Sequence, residues 1–128
     1  MTRVEVNPGK SNIRPVISVE SIGELQNAAG AVYCAETVKQ YIAKLSAATR
    51  KQPDFKLGVS PRASIHLMQT SKSLALLEGR DYVTPQDVRQ MCVPVLSHRL
   101  SIRSESIASG KTVESVLTDM LQTIAVPK

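Results

Sequence analysis

Apolar residues recur along most of this chain at intervals of three and four positions, the spacing that places side chains on one face of an α-helix. No stretch shows a sustained alternation of apolar and polar residues, which would be typical of a half-buried strand. The spacing predicts five helices, which cover about residues 19–32, 35–51, 61–78, 85–92 and 113–124. We therefore expect an all-α fold, a small bundle of about five helices, with room for short extended pieces at 32–33 and 100–103.

One face of each predicted helix is expected to lie in a shared core. The expected core residues are, in chain order, Ile22, Leu25, Ala29, Val32, Val38, Ile42, Leu45, Thr49, Ala63, Leu67, Thr70, Leu74, Leu77, Val88, Met91, Cys92, Val113, Val116, Leu117, Met120, Leu121 and Ile124. With one Phe, three Tyr and no Trp, this core must be aliphatic. The 128 residues are enough for one domain that buries about two-thirds of its unfolded surface.

Capping residues mark the ends of the central helices. Ser60-Pro61 is expected to begin the third helix, because Ser accepts a hydrogen bond from a free N–H group and Pro needs no partner at the first helical position. Gly79 suits the left-handed residue that ends a helix, and Thr84-Pro85 repeats the start signal. Pro94 is expected to interrupt the fourth helix, with a short helical turn after it.

Three segments lack the helical spacing. Residues 1–14 are polar and are expected to be a tail or a linker from something upstream, so that the folded domain covers residues 15–126. Residues 52–58 are expected to form a loop around Pro53. Residues 101–110 are expected to be a polar connection.

The formal net charge of +5 comes from one region of the chain. From Lys39 to Arg62 there are six basic residues and a single acid, Asp54. Such a segment could bind a polyanion, but a solvated helix face with one phosphate contact accounts for it equally well.

Arg62 has the least favourable helical position of these basic residues. It is the second residue of a predicted helix, where the positive end of the macrodipole disfavours a cation by a few tenths of a kcal/mol. A bound anion such as phosphate would favour a cation at this place, next to free N–H groups. Arginine suits that role because its guanidinium is always charged and can donate two hydrogen bonds to phosphate oxygens. The alternative is a surface arginine that pairs with water or with Asp54.

The chain shows no catalytic centre and no metal-binding motif. Its acids are scattered, and Ser, His, Asp and Cys do not combine at a spacing typical of nucleophilic catalysis. Cys34 and Cys92 lack a C-x-x-C partner, which argues against a zinc site or a disulfide framework and favours buried thiols. His66 lies one turn after Arg62, and an exposed histidine is its simpler interpretation.

Two short segments, Gly9-Lys10-Ser11 and Gly110-Lys111-Thr112, have the last residues of a phosphate-binding loop. Each lacks the first glycine of that motif and the buried strand before it, so neither is expected to bind a nucleotide. No apolar run approaches the roughly 20 residues of a membrane-spanning helix, and no signal peptide is evident. A cytoplasmic location is therefore expected.

Three motifs resemble the C-terminal lid domain of AAA+ ATPases of the MoxR family. They are LGVSPRASIHL at 57–67, ALLEGRDYVTPQDV at 75–88 and VLSHRL at 95–100. The resemblance continues upstream through PVISVESIGELQ at 15–26 and YIAKLSAATR at 41–50. The order and spacing of these motifs are specific to the family, and together they extend over nearly the whole chain.

The resemblance implies a role for named residues. In the family, the arginine of the Ser-Pro-Arg motif is the sensor 2 residue, which contacts the γ-phosphate of ATP held with Mg²⁺ by the core domain. The matching residues here are Ser60-Pro61-Arg62, so Arg62 is the expected sensor with Ser60 and Pro61 beside it. The resemblance also implies docking of the lid on the core through His98, Arg99 and Arg50. It implies no metal ligand and no catalytic residue in the chain.

The family further implies an ATP-driven chaperone or remodelling protein that assembles as a ring, expected to be a hexamer. Its partners would include proteins with von Willebrand factor A-type domains. This sequence contains no phosphate-binding loop, no acidic metal-binding strand and no arginine finger. It is expected to be a fragment of a longer ATPase, or else a stand-alone lid, and to hydrolyse no ATP by itself.

A basic helical module that binds nucleic acid is the alternative. The segment GRDYVTPQDV at 79–88 has a superficial likeness to the helix junction of the histone fold. However, the basic residues are not accompanied by the aromatic side chains that stack on bases. A titration with duplex DNA at two salt concentrations would separate the two hypotheses, since phosphate binding depends steeply on salt.

Overall fold

Six α-helices, one 3-10 turn and a short two-stranded sheet form the fold of residues 13–128, the part of the chain that this computed structural model describes. The elements are α1 (Val19–Ala31), α2 (Glu36–Lys51), β1 (Phe55–Leu57), α3 (Pro61–Leu77), α4 (Pro85–Leu96), the 3-10 turn (Ser97–Arg99), β2 (Ser101–Ile102), α5 (Ser104–Ala108) and α6 (Val113–Thr123). The predicted helical bundle is confirmed. The predicted tail lies outside the described residues, except for residues 13 and 14.

Helix α3 is central and packs against α1, α2 and α4. It begins as predicted, because the Ser60 side chain accepts a hydrogen bond from the Ala63 N–H and Pro61 is the first helical residue. It also ends as predicted, at Gly79 with a φ of +77°. There the Gly79 N–H donates to the Leu76 carbonyl at 2.9 Å and the next N–H to the Ala75 carbonyl at 2.9 Å, which is a Schellman motif.

The buried face of α3 differs from the predicted one after its second turn. The buried residues follow a four-residue spacing and are Ala63, Leu67, Ser71 and Ala75. Thr70 and Leu74 are only partly buried and Leu77 is 79% exposed, so the predicted stripe is wrong in this half of the helix. Small residues such as Ser71 and Ala75 can lie under a closely packed neighbouring helix, which an apolar pattern alone does not indicate.

Helix α1 contributes no buried residue, contrary to the prediction. Ile22 is 43% exposed and Leu25 is 45% exposed, while Ala29 is partly buried. The helix packs mainly along the outer side of α3, so its apolar stripe is only partly covered by the described residues. Val32, which follows the helix, is buried as expected.

Helices α2 and α6 have the predicted buried faces. In α2 the four predicted residues are buried, and Tyr41 and Ser46 join them. In α6 the buried residues are Val116, Leu117, Met120 and Leu121, with Val113 and Ile124 partly buried.

Pro94 does not interrupt α4, which continues to Leu96. A proline inside a helix costs about 3 kcal/mol, since it removes an N–H donor and crowds the carbonyl four residues earlier. Val95 and Leu96 are buried directly after it, and each buried side chain of this size contributes about 1.5–3 kcal/mol. Their burial explains why the helix extends beyond the proline.

The short sheet lies where the sequence predicted a loop and a polar connection. Strands β1 and β2 are antiparallel, with Phe55 opposite Ile102. The predicted extended piece at 100–103 is therefore confirmed, and Tyr33 forms an isolated bridge with Tyr82. The loop prediction is wrong at 55–57, because three residues are too few to show an alternating pattern. Helix α5 is a further element of the predicted polar connection.

No helix within residues 13–128 has the length and hydropathy needed to cross a lipid bilayer.

Candidate functional site

The structure places Arg62 at the exposed beginning of α3. Pro61, in front of it, has no N–H group, and the Ser60 hydroxyl accepts the N–H of Ala63 at 3.4 Å. Of the first three helical residues, Pro61 has no N–H group and Ala63 donates its own to Ser60. Only the N–H of Arg62 is therefore left for an external acceptor. An anion bound at this helix end would meet the amide and the guanidinium of the same residue.

Asp54, the acid that the sequence offered as a partner for Arg62, is bound elsewhere. Its carboxylate accepts hydrogen bonds from the Ser106 hydroxyl at 2.6 Å and from the Lys111 ammonium at 3.0 Å. These two bonds hold the pKa of Asp54 below its ordinary value. The ion pairs found among residues 13–128 do not include Arg62, so its charge faces outward without a counter-ion from the described fold.

The loop before Arg62 is fixed to the last turns of α2 through Val59. The Val59 N–H donates to the Thr49 hydroxyl at 3.1 Å, and the Arg50 Nε donates to the Val59 carbonyl at 3.2 Å. Thr49 and Val59 are both buried. Gly58 permits this approach, because a Cβ built at Gly58 would lie only 2.5 Å from the Cα of Arg50.

A second contact with α2 follows Arg62 on the other side. The hydroxyl oxygens of Ser46 and Ser64 are 2.6 Å apart, and Ser46 also donates to the Ile42 carbonyl at 3.0 Å. Since the single hydroxyl hydrogen of Ser46 is used in that bond, Ser64 is the donor to Ser46. The first turn of α3 is thus tied to α2 both before and after Arg62.

Arg99 reaches α3 one turn beyond Arg62. Its Nη2 lies 2.5 Å from Nδ1 of His66, which is four residues after Arg62 and hence on the same side of the helix. An arginine can only donate, so His66 accepts at Nδ1 and carries its hydrogen on Nε2. Of the three residues expected in docking, Arg99 therefore lies near the Arg62 side of α3, His98 is exposed in the 3-10 turn, and Arg50 is bonded to Val59.

The opposite end of α3 carries a separate, structural cluster. Arg80 donates to both oxygens of the Asp87 carboxylate, at 2.8 and 2.6 Å, and also binds Glu78. Asp87 in turn accepts the Thr84 N–H at 2.7 Å and completes the capping box of α4. Burial raises the pKa of Asp87, but the hydrogen bonds from Arg80 and Thr84 outweigh that effect and hold the pKa below its ordinary value. The cluster stabilises the turn between α3 and α4.

Neither cysteine has the environment of a reactive thiol. Both are buried and free, and burial raises the pKa of Cys92 to about 11. Thiols in apolar surroundings are unreactive because the thiolate is the nucleophile. Within residues 13–128, no three His, Cys, Asp or Glu side chains are grouped in a way that could hold a metal ion. Lys111, from the second apparent phosphate-loop motif, is bound to Asp54.

Sequence reasoning missed the residues that support Arg62. The sequence predicts Thr49 only as a core residue, and it predicts no functional role for Ser46, Gly58 or Ser64. Gly58 was the available signal, because a glycine two residues before a predicted N-cap often marks a close approach between backbones. The partners of Thr49 and Ser46 depend on tertiary packing, which no local pattern shows.

Comparisons with known proteins agree with this structure. The AAA lid domain family matches residues 47–120, which is more than half of the chain. The matched segment contains Thr49, Gly58 and the whole of α3 and α4.

Two relatives and one solved structure are informative. The uncharacterized protein YeaC of Bacillus subtilis is 35% identical over 115 residues, which cover 90% of this chain and 36% of YeaC. Chaperone MoxR1 of Mycobacterium tuberculosis is 33% identical over 135 residues, which cover 98% of this chain and 35% of MoxR1. A crystal structure of a proposed ATPase from Cytophaga hutchinsonii matches with a TM-score of 0.83 at 25% identity, over 94% of this chain and 41% of that one.

This chain thus spans about a third of the length of these curated relatives. None of the three descriptions names a nucleic acid, so the alternative function gains no support from them. Protein MoxR of Paracoccus denitrificans is also 51% identical over 43 residues, which cover 34% of this chain and 13% of that protein. The family match, these two MoxR-named relatives and the shared fold show that the chain belongs to the AAA lid domain family and is a lid of the MoxR type.

Proposed function

We propose that this chain is the C-terminal lid of a MoxR-type AAA+ ATPase and that Arg62 is its sensor 2 residue. In this proposal Arg62 contacts the γ-phosphate of ATP, which the core domain binds with Mg²⁺. The observation that carries the proposal is the exposed guanidinium at the N-terminus of α3, outside every ion pair among the described residues. A cation is unfavourable there unless an anion binds, and the free amide of the same residue suits a phosphate oxygen.

The proposed mechanism follows from the position of Arg62 in the first turn of α3. Helix α3 is the central helix of the lid and packs against α1, α2 and α4, so a force on its first turn acts on the whole domain. With ATP bound, the contact between Arg62 and the γ-phosphate would hold the lid over the core. After hydrolysis and phosphate release that contact is lost, and the lid is free to rotate. The lid thereby couples the state of the nucleotide to the arrangement of the ATPase.

We further propose that the longer protein is a cytoplasmic chaperone or remodelling ATPase that forms a ring, expected to be a hexamer. Its partners would include proteins with von Willebrand factor A-type domains. Support for this part is the similarity to chaperone MoxR1 over 98% of the chain. His98 and Arg99 both lie in the 3-10 turn, where Arg99 contacts His66 of α3, and we propose that they contribute to docking on the core.

The test combines the isolated lid with the longer ATPase. Arg62→Ala should leave the melting temperature of the lid unchanged or slightly raised, since it removes an unfavourable charge at the helix start. In the ATPase it removes a charge-assisted hydrogen bond worth about 1.5–3 kcal/mol, which corresponds to a roughly ten- to hundredfold fall in hydrolysis. Arg62→Lys should restore only part of the rate, because lysine keeps the charge but loses the fork of donors.

Lys56→Ala is the matched control, since Lys56 is another exposed cation, lies in β1 shortly before the loop at 58–60, and has no proposed role. Its rate should equal that of the unmodified ATPase. An unchanged rate in Arg62→Ala would remove Arg62 from the mechanism. A large fall in the melting temperature of the lid would make it a structural residue instead.

A further inference from the structure

We propose that three side chains of α2 are positioning residues for Arg62. Ser46, Thr49 and Arg50, which we call the α2 clamp, would set the place of Arg62 relative to ATP without touching the nucleotide. The inference rests on the proposed sensor 2 role of Arg62. It also gives Arg50 a role inside the lid, through its bond to Val59, beyond the docking role that the sequence suggested.

The three clamp residues are spaced so that they act from one side of α2. Positions 46, 49 and 50 are three and four residues apart, which places them together on one helical face. That face meets two points on the chain, Val59 and Ser64, which lie three residues before and two residues after Arg62. Both backbone groups of Val59 are bound, its N–H by Thr49 and its carbonyl by Arg50.

The clamp is rigid because its own groups are held in place. The Thr49 hydroxyl donates to the Ser46 carbonyl at 2.7 Å, so its oxygen is oriented toward the Val59 N–H. The Ser46 hydroxyl is fixed in the same way by the Ile42 carbonyl. Val59 is 2% exposed, and a buried backbone amide that loses its only partner is costly. The loop therefore has little freedom to move relative to α2.

This rigidity matters for Arg62, because its proposed contact depends on the distance between the guanidinium and the γ-phosphate. Arg62 lies in the first turn of α3, and the ends of helices fray more readily than their middles. A misplacement of about 1 Å can cost on the order of a hundredfold in a catalysed step when a group must meet a phosphate in fixed geometry. Hydrogen bonds on both sides of Arg62 hold the first turn of α3 at a fixed position relative to α2. They thereby restrict the direction of the guanidinium.

The test uses Thr49, whose side chain allows a matched pair of substitutions. Thr49→Val keeps the shape but removes the hydroxyl, whereas Thr49→Ser keeps the hydroxyl. In the longer ATPase, Thr49→Val should lower the turnover rate by about two- to tenfold, the equivalent of one neutral hydrogen bond. Thr49→Ser should remain close to the unmodified rate. When Arg62 is already alanine, Thr49→Val should cause no further loss, because the residue that it positions is absent.

Two results would overturn the inference. Equal losses from Thr49→Val with and without Arg62 would show a general structural role, and no loss in the presence of a functional Arg62 would show no role at all. If Arg62→Ala does not change the turnover rate, the sensor 2 proposal fails. NMR on the 128-residue chain then tests separately whether the α2 clamp holds the loop before α3. Thr49→Val should lower the backbone order parameters of residues 58–62 and Thr49→Ser should not; unchanged values in both variants would contradict the clamp.

Discussion

Replacing Gly58 by alanine probes how closely the loop before α3 lies against α2. The new Cβ would be 2.5 Å from the Cα and 2.6 Å from the backbone N of Arg50, and would also meet the Cγ of Arg50. Carbon atoms in contact are normally about 3.5–4.0 Å apart. One of the two backbones must therefore move by roughly 1 Å. Backbone atoms inside a helix cannot rotate away as the end of a side chain can.

The cost can be bounded from two directions. If the loop stays in place, the overpacking costs about 1–3 kcal/mol. If it moves, Val59 loses its hydrogen bonds with Thr49 and Arg50, at about 0.5–1.5 kcal/mol each. Both routes give about 1–3 kcal/mol, which corresponds to a fall of about 3–15 °C in the melting temperature of a domain of this size.

Thermal unfolding of the 128-residue chain, followed by far-UV circular dichroism, measures this change. Gly23→Ala is the matched control, because Gly23 lies inside α1 and a Cβ there would meet no atom within 4 Å. That variant should gain about 0.5–1 kcal/mol, since alanine is the better helix former. A Gly58→Ala chain that melts within about 1 °C of the unmodified chain would refute the close packing of loop and helix.

Two further predictions concern the core and the turn between α3 and α4. Leu67→Ala should lower the free energy of unfolding in urea by about 2–5 kcal/mol, because Leu67 is 0% exposed. Leu77→Ala should change that free energy by less than about 0.5 kcal/mol, because Leu77 is exposed. Equal effects would contradict the assigned buried face of α3. Asp87→Asn should destabilise the chain at pH 7, because the pKa of Asp87 is lowered in the folded state. That stabilisation is complete above the unfolded-state pKa of about 4 and is lost as the pH falls towards the folded-state pKa, so the difference from the unmodified chain should shrink below about pH 4. A difference that stays constant from pH 7 to about pH 2 would show that the Asp87 charge contributes nothing.

Local chemistry explains why the ends of α3 were predictable. An N-cap serine followed by proline, and a glycine at the left-handed position, act through bonds within a few residues of themselves. The position of Arg62 on its helix therefore follows from residues close to it in the sequence, without any tertiary contact. The same holds for α6, whose apolar stripe is unbroken and whose cap, Thr112, forms a capping box.

Tertiary packing decided what the sequence could not show. Helix α1 has apolar residues at helical spacing, yet Ile22 stays 43% exposed because α1 lies on the outer side of α3. In α3, Ser71 and Ala75 are buried in place of larger residues, since a close neighbouring helix selects for small size and not for hydrophobicity. The hydrogen bond from the Val59 N–H to the Thr49 hydroxyl joins residues ten positions apart, on either side of a turn in the chain. No periodicity in the sequence indicates such a bond.

In the proposed mechanism, Arg62 distinguishes ATP from ADP. The most direct measurement is the affinity of the longer ATPase for ADP and for a non-hydrolysable ATP analogue, with Arg62 intact and with Arg62→Ala, by isothermal titration calorimetry. We expect the variant to bind the analogue roughly ten- to a hundredfold more weakly, because it loses one charge-assisted hydrogen bond, and to bind ADP with unchanged affinity. Equal weakening for both nucleotides, or no weakening for either, would contradict a contact between Arg62 and the γ-phosphate.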